Sequence, residues 1–198
     1  MKQVTGSNSF DANKKVSIQV KLGGRSFSAH NVNVAESVEH IEIVIDTPRV
    51  TLAPRSEVSL DTAAELLHII GKPCRINEQS VCSELQDEIV AIMAIDSNAL
   101  ATIIERWSGK VSFVSPLLDM RHSDTKSLTI DSTDKVCYMR LFDNGLQRAE
   151  AFDATTAEDI LYLATEWLGK EQNTPIYIKG GKVAAKLLRK YFKQVICE

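Results

Sequence analysis

The chain has 198 residues, a formal net charge of −3, 44% hydrophobic and 25% charged residues. That balance is ordinary for a globular protein, and it provides no clustered basic face of the kind nucleic acid requires. The local basic excess at residues 186–193 reads as a solvated helix face. No apolar run approaches the ~18 residues needed to cross a bilayer, so membrane insertion is not expected. Cys74, Cys82, Cys137 and Cys197 form no CxxC pair, which fits neither a zinc site nor a disulfide scaffold. Free thiols suit a reducing cytoplasm, the expected location.

Residues 1–13 are polar and lack the apolar core of a signal peptide, so residues 1–14 are expected as a flexible tail. Val16, Ile18 and Val20 alternate with polar residues as in a strand, and Gly23-Gly24 supplies a turn. A return strand over 25–34, a β-branched strand over 41–45 and a short strand over 50–52 complete a meander. Thr62 and Glu65 have capping-box spacing ahead of a helix whose buried face is Ala63, Leu66, Leu67 and Ile70. A strand over 89–95 follows. Ser97 is expected to cap a helix burying Leu100, Ile103, Ile104 and Trp107, and Val111–Val114 is another strand.

Residues 120–126 are polar and read as a linker. The spacing then predicts strands over 128–131, 136–142 and 146–152. Asn144-Gly145 joins the last two, because both residues tolerate positive φ. A second capping box, Thr155 with Glu158, opens a helix that Gly169 ends. The strand 176–178 runs into Gly180-Gly181. A helix over 183–192 follows, with Ala184, Leu187, Leu188 and Tyr191 inward, and Val195–Cys197 forms an edge strand.

Two glycines between a strand and a helix, at Gly180-Gly181, resemble the adenosine-binding loop of actin-like ATPases. Ser127-Leu128-Thr129-Ile130-Asp131 running into 136–142 resembles the second phosphate loop of that superfamily, and the hairpin 16–29 resembles the first. The block order is also similar to that of an uncharacterised Bacteroidetes family of unknown function with an actin-like fold. The blocks are 45–54, 113–118, 141–145, 151–152 and 157–162. The resemblance implies a minimal two-lobed actin-like ATPase (ribonuclease H-like) fold of α/β class, with mixed sheets flanked by helices. Its lobes would be residues 15–118 and 119–198. It also implies a nucleotide cleft lined by Gly23, Gly24, Asp131, Gly180 and Gly181.

The chain departs from that pattern where the chemistry sits. The first hairpin offers Gln19 or Lys21 where the family has a magnesium-holding Asp, and Ser132-Thr133-Asp134-Lys135 replaces the glycines of the second loop. Side chains there keep backbone amides away from a phosphate. Two readings follow. One is a non-catalytic adaptor that binds an unidentified protein partner or itself. The other is a switch that binds ATP or ADP with little hydrolysis, magnesium-ATP being the one cofactor left open, as a weak ligand. Each residue also has a structural reading: Gly180-Gly181 as a tight turn, Asp131 as a strand-end carboxylate, Gly23-Gly24 as a hairpin turn. His122-Ser123-Asp124 has the residue types of a hydrolase triad, but adjacent residues cannot converge in triad geometry.

Overall fold

A computed structural model describes the backbone of residues 15–21 and, in full, residues 38–59, 61–84, 88–122, 124–154 and 156–198. The first part of the chain runs β1 (Lys15–Lys21), β2 (His40–Asp46), β3 (Val50–Pro54), α1 (Ala63–Ile69), β4 (Glu78–Cys82), β5 (Ile89–Asp96), α2 (Ser97–Trp107) and β6 (Val111–Val114). A single 3-10 turn, Pro116–Leu118, leads into the second part. That part runs β7 (Ser127–Ser132), β8 (Val136–Phe142), β9 (Leu146–Asp153), α3 (Ala157–Leu168), β10 (Ile176–Lys179), α4 (Lys182–Leu188) and β11 (Val195–Cys197).

Among the described residues the strands form three sheets, ordered β1-β2-β6, β3-β5-β4 and β11-β10-β7-β8-β9. The meander expected at the head of the chain is not what forms. β1 and β2 pair in parallel, from Lys15 opposite His40 to Lys21 opposite Asp46. Parallel neighbours need a crossover, so these strands are not consecutive arms of a hairpin. β3 leaves that sheet and pairs antiparallel with β5. The break falls where Pro48 has no amide to donate and where the Thr47 amide donates instead to the Tyr138 hydroxyl at 2.8 Å. Gly23, Gly24 and the expected return strand lie outside the described residues. In the second part the meander is present, β7-β8-β9, with Asn144 at φ 53° and Gly145 at φ 113° in its tight turn.

β5, β8 and most of β7 are buried on both faces. Val90, Ile92 and Ala94 of β5 pack with Ala63 and Leu67 of α1, while Ala91, Met93 and Ile95 face the other way. Cys137 and Met139 of β8 pack beneath α3 and α4, while Val136 and Tyr138 face the other way. The inward faces meet in one core that also takes Ile41, Ile43 and Ile45 of β2, Trp107 of α2 and Leu117. β4 had no signal in the sequence: its residues, Glu78-Gln79-Ser80-Val81-Cys82, are mostly polar, and pairing with β5 recruits them.

The helix caps differ by one to three residues from expectation. Thr62 is helical at φ −93°, ψ −15° and does not cap α1. Ser59 and Thr62 form the reciprocal box instead: each backbone N–H donates to the other's hydroxyl, at 3.0 and 3.2 Å. Asp96, not Ser97, caps α2, its Oδ1 accepting from Asn98 and Ala99. Thr156 with Asp159 forms the capping box of α3, one residue beyond the expected pair. Ile70, Ile104 and Tyr191, expected inside, are exposed. α4 stops at Leu188, and the turn after it carries Phe192 into the core in place of Tyr191. Among the described residues no helix is long and apolar enough to cross a membrane.

All the cysteines are free, and their environments set their order of reaction. Burial pushes the Cys137 thiol from 9.0 up to about 12, and burial also raises Cys74 and Cys82. Exposed Cys197 is expected to react first with a thiol reagent on the native protein at pH 8, and Cys137 only after unfolding. The unfolded Cys137 ionises from about 9.0 and the folded one does not until about 12, so its contribution to stability is whole below pH 9 and falls as pH rises across that window. Urea melts at pH 8 and pH 10.5 with Cys137→Ala as reference check the sign.

Candidate functional site

β2 and β7 each carry at their ends an aspartate followed by a hydroxyl residue, Asp46-Thr47 and Asp131-Ser132. Both ends converge on Tyr138 of β8, which stands opposite Asp131 in the ladder. A cavity of about 740 Å³ opens there, lined among others by Glu42, Asp119, Asp131, Thr133, Tyr138 and Lys179. Gln19 and Lys21, the positions compared with the family's acid, lie on β1 opposite Val44 and Asp46. The carboxylate at this end of the sheet therefore belongs to β2.

Each aspartate is held by the chain itself. Tyr138, fully buried, donates its hydroxyl proton to Asp46 Oδ1 at 2.9 Å, and Thr133 Oγ1 donates to the same oxygen at 3.2 Å. Burial first, and then the Asp46 charge, raise the Tyr138 phenol well above its ordinary value, so it stays a donor. Asp131 Oδ2 accepts from Arg140 Nη2 at 2.5 Å. Arg140 is 2% exposed; its Nε donates to Thr129 Oγ1 at 2.8 Å and its Nη1 to the Pro116 carbonyl. Burial alone would raise the Asp119 carboxyl, but hydrogen bonds from Arg121 and the charges of Arg140 and Arg121 hold it below the usual range.

Gly180 and Gly181 form the turn between β10 and α4, at φ 72° and 55°. Their backbone lies against the β7–β8 turn. A Cβ on Gly180 would stand 2.1 Å from the Ser132 carbonyl oxygen, and one on Gly181 would stand 3.2 Å from the Ser132 side chain. A second cavity, of about 790 Å³, runs beside this contact along Gly180, Gly181, Lys182, Ser132, Thr133 and Glu158. The β7–β8 turn closes without glycine: the Thr133 amide donates to the Val136 carbonyl at 2.9 Å, and Thr133 Oγ1 accepts from the Val136 amide at 3.1 Å.

Sequence reasoning had singled out Asp131, Gly180 and Gly181, and the fold brings them to adjoining cavities. It passed over Asp46, Thr133, Tyr138 and Arg140. The signal for Asp46 was available, since Ile45-Asp46-Thr47 repeats the pattern Ile130-Asp131-Ser132 at the end of an apolar strand. Arg140 could be seen as the one charge inside an otherwise apolar strand. His122 stacks on Tyr177 with ring centroids 3.7 Å apart and meets Glu198 Oε1 at 2.7 Å, a packing role, while Ser123 lies outside the described residues. Among the described residues no group of His, Cys, Asp and Glu converges to hold a metal ion.

These features define an α/β protein with mixed sheets and helices, in which Asp131 and the glycine turn line two adjoining cavities. It is similar to a protein of unknown function with an actin-like ATPase fold from Bacteroides thetaiotaomicron VPI-5482. The two are 20% identical with a TM-score of 0.68, over 82% of this chain and 69% of that one. The likeness shows the fold: this chain has an actin-like ATPase fold. More distant likenesses are to an AlfA filament bound to AMPPNP (11% identity, TM-score 0.39, 80% of this chain and 52% of that one). The cytoplasmic domain of EpsL, an inner membrane component of the type II secretion system of Vibrio cholerae, is comparably distant (11%, 0.44, 82% and 80%). Neither adds to the fold assignment. No protein-family model and no curated protein matches the chain.

The Gly180–Ser132 contact yields a stability prediction. Gly180→Ala meets backbone and a positive φ together, and is expected to lose about 2–3 kcal/mol in urea unfolding. Gly181→Ala meets only a side chain, and is expected to lose about 1 kcal/mol.

Proposed function

We propose that the protein is a non-catalytic actin-like adaptor that binds another protein or a second copy of itself, with a degenerate nucleotide cleft. The observation that carries this reading is that both strand-end carboxylates, Asp46 and Asp131, are engaged by side chains of the same chain. A phosphoryl-transfer site needs such acids free to hold a hydrated magnesium ion. The glycine turn supports the same reading, because Gly180 lies against the Ser132 backbone. The two-lobed, ribonuclease H-like description, with lobes at 15–118 and 119–198, is part of the proposal. It is supported by the sheets, none of which mixes strands from before and after Leu118. A Bacteroidetes relationship is supported by the solved B. thetaiotaomicron protein, and a cytoplasmic setting by the free thiols.

Among the described residues β11 pairs with no strand but β10, its outer side is met only by Arg189 Nε on the Val195 carbonyl at 3.4 Å and Nη2 on Cys197 Sγ, and Ile196 on it is 43% exposed. Open edges pair with other strands unless a charge blocks them. Sedimentation velocity is expected to show a concentration-dependent dimer that Ile196→Lys abolishes.

A second reading is a switch that binds ATP or ADP with little or no hydrolysis, using Asp131, Gly180 and Gly181, with Gly23 and Gly24 as further candidates. The cavity of about 790 Å³ beside Gly180-Gly181 favours it. Thermal melting with and without magnesium-ATP separates the two. The adaptor is expected to show no shift and no phosphate release. A shift of several degrees that Lys182→Glu removes would establish the switch, since a ligand selective for the native state stabilises it by mass action. Hydrolysis lost in Asp131→Asn would sink both.

A further inference from the structure

An actin-like ATPase fold implies magnesium at its strand-end carboxylates. Magnesium takes hard oxygen ligands in near-octahedral geometry and retains several waters. The residues present do not fit that ion. Asp131 already holds a cation, the Arg140 guanidinium at 2.5 Å. Asp46 already accepts two hydroxyl donors on one oxygen, from Tyr138 and Thr133. Neither set of partners is a mobile surface side chain: Arg140 is 2% exposed and Tyr138 fully buried.

We propose that Arg140 is the resident cation of this cleft, taking at Asp131 the position a divalent ion would need and making the cleft independent of metal. This rests on the non-catalytic reading above and specifies its electrostatics. A divalent ion entering the cavity reaches Asp131 with the buried Arg140 charge directly behind the carboxylate, and is repelled by it. To take that oxygen, it must displace the guanidinium from its carboxylate, leaving a buried cation bonded to the Thr129 hydroxyl and the Pro116 carbonyl, with the Asp119 charge as its remaining counter-charge. A buried cation stripped of its hydrogen-bonded carboxylate is strongly unfavourable. The planar fork of arginine also does what a spherical ion cannot. It ties β7, β8 and the Pro116–Leu118 turn together in fixed directions. The contact is therefore a permanent part of the fold, where a metal would come and go with its ligand.

Manganese alone, followed by electron paramagnetic resonance on the full chain without nucleotide, tests this. The wild type is expected to leave the free Mn²⁺ signal undiminished at millimolar metal, and Asp131→Asn to match it. Arg140→Gln is expected to gain Mn²⁺ binding at least tenfold over wild type, Arg140→Lys not to, and Arg140→Gln combined with Asp131→Asn to lose the gain. Stoichiometric Mn²⁺ binding by the wild type that disappears in Asp131→Asn overturns the proposal, as does a folded Arg140→Gln that gains nothing. If circular dichroism shows Arg140→Gln unfolded, the comparison of wild type with Asp131→Asn decides alone. Mn²⁺ binding without an ATP-driven melting shift rejects Arg140 as resident cation and leaves the adaptor standing. An ATP shift without Mn²⁺ binding does the reverse.

Discussion

A guanidinium buried in the middle of a strand constrains everything around it. Arg140 sits on β8 between Val136, Tyr138 and Phe142, all buried, and its charge must be balanced in place. The strand opposite supplies the balance: Thr129 and Asp131 alternate on β7 with Leu128 and Ile130, so one face of β7 is polar and the other apolar. That alternation sends Leu128 and Ile130 toward α3 and α4, and Asp131 toward the cleft. The Pro116 carbonyl completes the set, which fixes where the chain leaves β6 and enters the β7-β8-β9 meander. A strand-end acid, a sheet face and a connection all follow from one buried charge.

Tyr138 performs a parallel task one turn of the pleat away. Its hydroxyl accepts from the Thr47 amide and donates to Asp46, so it joins the end of β2 to the centre of β8 across more than ninety residues of sequence. Thr133 adds the β7–β8 turn to the same acid. Polar groups in so dry a place are tolerated because each has a partner, and each partnership fixes a direction. The result is a cleft floor whose acids are already structural members.

Much of this fold was legible in the sequence, for local reasons. β5 announces itself by its β-branched apolar run, β8 by an apolar run broken only by Arg140, β9 by following Asn144-Gly145, and α2 and α3 by their periodic apolar face. What was not legible depended on distant pairing. β4 is polar and becomes a strand only because β5 offers an open side. The parallel union of β1 with β2 is set by a crossover that no local pattern encodes. Caps slipped because Ser, Thr and Asp neighbours compete for the same amides, and the winner depends on backbone angles fixed by packing. Gly180-Gly181 and Asp131 were singled out by resemblance to actin-like loops, and they line adjoining cavities. Asp46 and Arg140 were passed over because their meaning lies in who faces them, as the Asp131–Arg140 and Asp46–Tyr138 pairs make plain.

The central core draws Ile41, Met93 and Trp107 from the first part of the chain, and Val136, Tyr138 and Ala151 from the second. Lobes in a hinged molecule carry separate cores and can open independently. Here the inward face of each part is completed only by the other. Loss of either would strip apolar surface from both, so the chain is built to denature as one cooperative unit, and a fragment ending near Leu118 would leave its central core without the cover of Val136, Tyr138 and Ala151.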